Sequence, residues 1–509
     1  MSSVSSKDPA GTRLERNALG ELQVLFQAIT SAGPAVGVAA SLVFAATYAG
    51  AATPLTAVLT TVAVLFVAIS MGQLGKHLPS AGGLYTYTTG GFGKQVGFIV
   101  SWALSFAYLI DLPLIFLLLA YIAQANLTSR LQAPSWVWVP ITIVAVALIC
   151  ALVFRGIKLS TGVGVVLGML EIAIFLALAI TLIAKAGSHN TLSVFTPHAA
   201  PRHDFGPVFA GMIFGILAFV GFDAAAPVAE EAREPRKTVP RALVWSVLIT
   251  GAFFTFCFYA GVVFWGPGHI AGGHNPFVKL NGGDPFDGVA SIVWGGAWVL
   301  VLLAVLNSTF ASVLGITNGA VRISYALGRI GVFPRQAAYL HPRFRTPWVM
   351  ILAVAVISLG VGLILGWTLG GPAAGFAFLG ALVTLLFVPI YGLSSLSCLF
   401  YYLRYRRSEF NIFLHGVCPV LGALFLVPVL IAAFGVNFFG LGIPALSGAS
   451  RWAPWIALAW LLIGVAAYFY LRSRRPSSLD QLDRIFIDEP QTAVAAGRAV
   501  GDGRADVPS

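Results

Sequence analysis

The chain has 509 residues, of which 58% are hydrophobic and only 10% charged, against about 25% charged in an ordinary soluble domain. A soluble fold with so few charges would expose large apolar patches and aggregate, whereas lipid accepts apolar surface. The net charge of +11 does not indicate nucleic acid, because the lysines and arginines fall in short clusters between long apolar runs and not on one soluble face.

Residues 1–20 are polar, without a cleavable-signal pattern, and residues 1–24 read as an N-terminal cytoplasmic segment. A membrane-spanning helix needs roughly 20 apolar residues. Twelve segments meet that need, at about 25–47, 53–73, 96–123, 135–154, 159–185, 206–229, 240–266, 289–319, 348–366, 372–403, 412–434 and 453–472. The first is interrupted by Ser31, Gly33, Pro34 and Ser41. With twelve spans, 25 of the 30 lysines and arginines lie on one side of the membrane and five on the other. The positive-inside rule then places both termini in the cytoplasm of a multi-pass plasma-membrane protein. Residues 473–509 read as a polar, disordered cytoplasmic tail.

The cysteines, Cys150, Cys257, Cys398 and Cys418, lie in or beside apolar stretches and form no CxxC pair, so neither a disulfide framework nor a zinc site is expected. Asn126-Leu127-Thr128 matches a glycosylation sequon on an outer loop; such matches are common by chance.

Three acidic residues fall well inside the proposed spans: Asp111, Glu171 and Asp223. A charge at mid-bilayer costs at least about 2.5 kcal/mol, so such residues face a cavity or a partner. Asp111 also reads as a structural group near the outer end of the third span, and Glu171 as a protonated acid bonded to a neighbouring helix. Asp223 lies in Phe219-Val220-Gly221-Phe222-Asp223-Ala224-Ala225-Ala226-Pro227, where glycine loosens a helix and proline removes one of its hydrogen bonds. The first span carries a matching interruption, Thr30-Ser31-Ala32-Gly33-Pro34. Gly/Pro-interrupted spans in corresponding positions point to a transporter binding site. Main chain freed at membrane depth must line a cavity or bind something. A half-helix N-terminus suits a carboxylate, and freed carbonyls suit an ammonium or a cation. An α-amino acid carries both charges at one end.

Three further segments carry a family resemblance. They are Leu78-Pro79-Ser80-Ala81-Gly82-Gly83-Leu84-Tyr85-Thr86-Tyr87; Gly221-Phe222-Asp223 with Glu230-Glu231 and Pro235 to Pro240; and Arg322 to Pro334 with Thr346-Pro347. Across nearly the whole membrane portion the chain resembles the amino acid–polyamine–organocation (APC) transporter superfamily. The resemblance implies an all-α membrane protein with the LeuT-type fold: two inverted five-helix repeats, about 25–185 and 206–403, plus two extra helices within 412–472. It implies alternating access, with a small amino acid or amine bound at Ser31, Ala32 and Gly33 through its carboxylate. Its ammonium and side chain would meet Phe219, Val220, Gly221, Phe222 and Asp223. Leu217 stands where several relatives have an aromatic gate, so Phe219 or Phe222 serves instead.

Many sodium-independent relatives place a lysine in the fifth helix; here, counting from Lys158, Glu171 takes that place. A carboxyl there carries a proton, or ligates sodium with Ser308 or Ser312. The proton is preferred, since burial favours the uncharged acid. No cofactor is expected beyond the coupling ion, and the oligomeric state is open.

An enzyme is not expected. Thr89 to Gln95 fails the phosphate-loop pattern, because position 88 is threonine and 95 glutamine, and no GxSxG or HExxH occurs. A transporter-like substrate sensor or a polyamine exchanger is the alternative. The substrate side chain is also open: the phenylalanines suit an apolar group and Asp223 a second amine.

Overall fold

The computed structural model describes residues 19–79, 83–155, 161–227, 229, 232–270, 276–329, 334–342, 344, 346–436, 444 and 446–474, with main chain alone at 161–162, 318–319, 322–329 and 335. The first eighteen residues, Glu230, Glu231, Lys158 and the tail from 475 lie outside this set.

Among the described residues the regular structure is helical. In chain order the helices are α1 (Glu21–Ala32), α2 (Pro34–Val36), α3 (Leu42–Ala49), α4 (Thr53–Gly75), α5 (Leu84–Phe92), α6 (Lys94–Leu131) and α7 (Trp138–Phe154). Then come α8 (Thr161–Ala186), α9 (Phe205–Phe219), α10 (Pro235–Trp265), α11 (Pro267–Ile270), α12 (Pro285–Trp294) and α13 (Val299–Arg329). The last are α14 (Trp348–Thr368), α15 (Pro372–Tyr405), α16 (Cys418–Ala433) and α17 (Ala453–Arg474). Eleven stretches among the described residues are long and apolar enough to cross a bilayer. The first, Glu21–Gly75, has 55 residues; as one straight helix it would run about 80 Å against a hydrocarbon core of about 30 Å. Gly33 and Gly50 divide it, with φ 65° and 57°.

The sequence sets these boundaries by ordinary means. Proline opens α10, α12 and α15 at the first helical position, where a missing N–H costs nothing. Asp204 caps α9, its carboxylate accepting from the Gly206 N–H at 2.8 Å. Buried threonines such as Thr60 and Thr88 bond the carbonyl four residues back. Helix α9 is buried along nearly its whole length, while α14 and α17 leave most of their surface outward. Leu352, Val356, Ile364 and Leu462 are among the exposed apolar side chains; that outer surface is what lipid would cover.

Three differences from the sequence reading stand out. Helix α6 runs past its expected end at 123, so Asn126 is a buried helical residue and not part of a loop. The helix continues because its polar side chains find partners: Asn126 pairs with two aspartates, and Ser129 Oγ donates to Ala125 O at 2.6 Å. The eighth apolar stretch opens at Pro285 and not at 289, which adds Asp287 to the acids within a candidate span. Helix α5, too short to register as a span, was not foreseen.

Candidate functional site

The site grows from two interruptions. Helix α1 stops at Gly33, which has φ 65° and ψ 75°, a left-handed conformation natural to glycine. Pro34 restarts the helix with its pre-set φ. A Cβ on Gly33 would lie 2.7 Å from Ser312 Oγ and 3.3 Å from Ser308 Oγ, so the interruption sits directly against α13.

A restarted helix presents free N–H groups, and here they meet α8 and α13. The Ala35 N–H faces the Glu171 carboxyl, and the Val36 N–H donates to Ser308 Oγ at 3.4 Å. Glu171, on α8, is 2% exposed. It also accepts from Asn307 Nδ2 at 3.0 Å and from Ser308 Oγ at 3.3 Å. Ser312 Oγ is buried beside Gly33 with no hydrogen-bond partner. Glu171, Ser308 and the restarted helix therefore form one cluster at the first interruption, with Ser312 at its edge.

The second interruption follows α9. Val220 leaves the helix at ψ 126°, and Gly221 takes φ 106° before a short 3-10 turn, Phe222–Ala225. A Cβ on Gly221 would stand 2.7 Å from the Ser31 carbonyl oxygen and 3.0 Å from the Ala32 nitrogen. The structure thus brings residues 31–33 and 221 into main-chain contact. Asp223, 4% exposed, accepts from the Tyr391 hydroxyl of α15 at 3.0 Å. Phe219 packs edge-on against Phe254 at 5.2 Å, and Phe222 lies 5.3 Å from Tyr391. Val220 is half-buried, and Leu217 is buried against Gly380 of α15.

Sequence reasoning missed several neighbours. Asn307 immediately precedes Ser308, and a polar residue at that point of an apolar span is a signal. Tyr391 reads as an ordinary aromatic, and nothing in its local sequence points to Asp223. Toward the end of the bundle opposite Leu19, Phe44 of α3 packs within 5.2–5.6 Å of Phe214 and Phe376, and Tyr48 stacks on Phe214 at 6.0 Å. Rings from α3, α9 and α15 thus meet on that side. On the other side the Arg233 N–H donates to Leu19 O at 2.8 Å, and Arg241 pairs with Glu21 at 3.4 Å.

Two spanning helices opened at membrane depth, in contact with each other and with a buried carboxyl, are the architecture of a membrane transporter for small molecules. The family model described as "Amino acid permease" matches residues 19–467. The chain belongs to this amino acid permease family, within the APC superfamily, and is a transporter and not an enzyme. It is 29% identical over 370 residues to the low-affinity putrescine importer PlaP of Escherichia coli strain K12, covering 71% of this chain and 77% of that one. It is 26% identical over 477 residues to the branched-chain amino acid permease BcaP of Lactococcus lactis, covering 85% and 89%. It is 25% identical over 462 residues to a methylthioribose transporter of Bacillus subtilis, covering 86% and 89%.

Proposed function

We propose that this permease is a secondary active transporter for an amino acid or amine, working by alternating access and coupled to protons through Glu171. In this reading the 55-residue first stretch is two spans. Twelve spans then form two inverted five-helix repeats plus two helices, with both termini cytoplasmic.

One observation carries the coupling: the Glu171 carboxyl sits at the N-terminus of the restarted first helix, joined to it through Ser308, which accepts from the Val36 N–H and donates to Glu171. That N-terminus carries a partial positive charge suited to an anion. A substrate carboxylate held at residues 31–33 and an ionised Glu171 would share it and repel each other. Protonating Glu171 removes the repulsion, so a zwitterion and a proton enter together. Carbonyls at the end of α1 and the open chain at 219–223 would hold the ammonium.

Reconstitution into proteoliposomes tests this. Glu171→Gln is expected to abolish accumulation driven by a pH gradient and to spare exchange of internal for external substrate. Unchanged pH dependence in that variant would remove Glu171 from the coupling role. The unpartnered Ser312 Oγ next to Gly33 favours sodium as the second reading, and a sodium-gradient arm decides it. Binding without any uptake would indicate a substrate sensor.

A further inference from the structure

A second buried carboxyl takes no part in the coupling cluster. Asp111 lies inside α6, 3% exposed, and its Oδ2 is buried with no hydrogen-bond partner. It is an electrostatic neighbour of Asp223, and both are neighbours of the Tyr108 and Tyr391 hydroxyls. Packing brings these groups together. Tyr108, one turn before Asp111 on α6, meets Phe387 of α15 edge-on at 6.1 Å. Phe387 packs on Tyr391, and Tyr391 on Phe222, at 5.4 and 5.3 Å. The group adjoins the second interruption, because Asp223 lies in the short 3-10 turn that follows Gly221 directly.

Among the described residues no lysine, arginine or histidine forms an ion pair with either aspartate. Two carboxyls in apolar surroundings are costly unless protonated or matched by a cation. Tyrosine hydroxyls and ring faces on the same spot suit an ammonium.

We infer that Asp111 and Asp223 together form a subsite for a second, distal ammonium, so that this permease selects diamines or basic amino acids over neutral amino acids. The inference rests on the transport reading above. Asp111 is then the specificity-determining residue, and Asp223 couples the subsite to the opened helix. A neutral side chain would lie against Asp111 Oδ2 and leave it unpaired. Sites built around a polar partner reject the analogue that lacks it far more strongly than apolar pockets reject a misfit. Lysine and 1,4-diaminobutane share the distal ammonium and differ in the carboxylate, so comparing them shows which source the site takes.

Calorimetric titration of the full-length purified protein tests this with two matched pairs: lysine against norleucine, and 1,4-diaminobutane against butylamine. In at least one pair the member with the distal ammonium is expected to bind about tenfold tighter or more. Asp111→Asn should shrink that ratio to within about threefold while the weaker member keeps its affinity, and Asp111→Glu should restore part of it. Norleucine and butylamine binding as tightly as their partners to the wild type would overturn the inference and leave the transport reading standing. Equal weakening of both members by Asp111→Asn would also overturn it, since that marks a structural role. If none of the four probes binds, this inference falls, while the transport reading is judged separately by uptake into proteoliposomes. The wild-type ratios decide the matter even if a variant does not fold.

Discussion

At the residue scale, Gly221 shows how little room the site leaves. Its φ of 106° is one that L side chains rarely adopt, and its would-be Cβ meets the Ser31 carbonyl at 2.7 Å, which is backbone and cannot swing away. Strain of this kind costs roughly 1–3 kcal/mol where it is held. Gly221→Ala is therefore expected to separate the two interruptions, weakening substrate binding at least about tenfold while the protein still inserts and folds. Gly33→Val should likewise block binding, because its side chain would crowd Ser308 and Ser312. Normal affinity in both variants would show that the open main chain does not hold the substrate. These glycines were legible in the sequence, because Gly-Pro and Gly-Phe-Asp break an apolar run wherever they occur. The link from Val36 through Ser308 to Glu171 was not, because it depends on how α8 and α13 lean against the first helix, and no local pattern encodes that.

At the element scale, α6 ends in a polar latch. Asn126 Nδ2 donates to Asp284 at 3.0 Å and to Asp287 at 2.9 Å, and its Oδ1 accepts from Asn281 at 3.0 Å. Arg130 adds a bond to Ser291 at 3.3 Å and covers the Trp298 ring at 3.5 Å. The Tyr121 hydroxyl donates to Gly283 O. These contacts tie α6 to the segment 281–298. Asn126→Ala would strip both aspartates of a donor, at roughly 1–3 kcal/mol for each orphaned group. A clear drop in thermal midpoint in detergent is expected, and an unchanged midpoint would mean the latch is not structural. The sequon at Asn126 is also buried inside a helix. Translation into glycosylating microsomes should give no mass shift there, and a glycan on Asn126 would mean that this end of α6 is open. Hydropathy could not reveal the latch, since polar residues mark the end of an apolar run but not the end of a helix.

A second junction joins the end of α4 to the turn after α15. His77 Nε2 lies 3.2 Å from Glu409 Oε2. Burial, the largest effect, disfavours the imidazolium, as do Arg406, Arg236 and Lys76, while Glu409 favours it. The His77 pKa is thus held below the usual histidine value. The fold favours neutral His77, so its stabilising share is full above the ordinary histidine range and is lost as pH falls through the lowered pKa. Acidification should lower the thermal midpoint of the wild type more than that of His77→Gln. Equal losses in the two proteins would show that His77 does not titrate this junction.

At the scale of the whole molecule, composition and apolar periodicity reveal most of the architecture, because a bilayer demands continuous apolar helices of nearly fixed length. Helix α10 was expected at 240–266 and occupies Pro235–Trp265; α15 was expected at 372–403 and occupies Pro372–Tyr405. Short helices such as α5, and the ring contacts among Phe44, Phe214 and Phe376, come from tertiary packing and leave no such trace. Along the chain, Gly33 lies between the Leu19–Arg233 contact and the Phe44 ring.

The most direct measurement is a map of the protein at saturating lysine or 1,4-diaminobutane. Ligand density is expected against the open main chain at residues 31–33 and 219–223, with helices interrupted at Gly33 and Gly221. Density elsewhere in the bundle, with both helices running unbroken through those positions, would contradict the proposed grip.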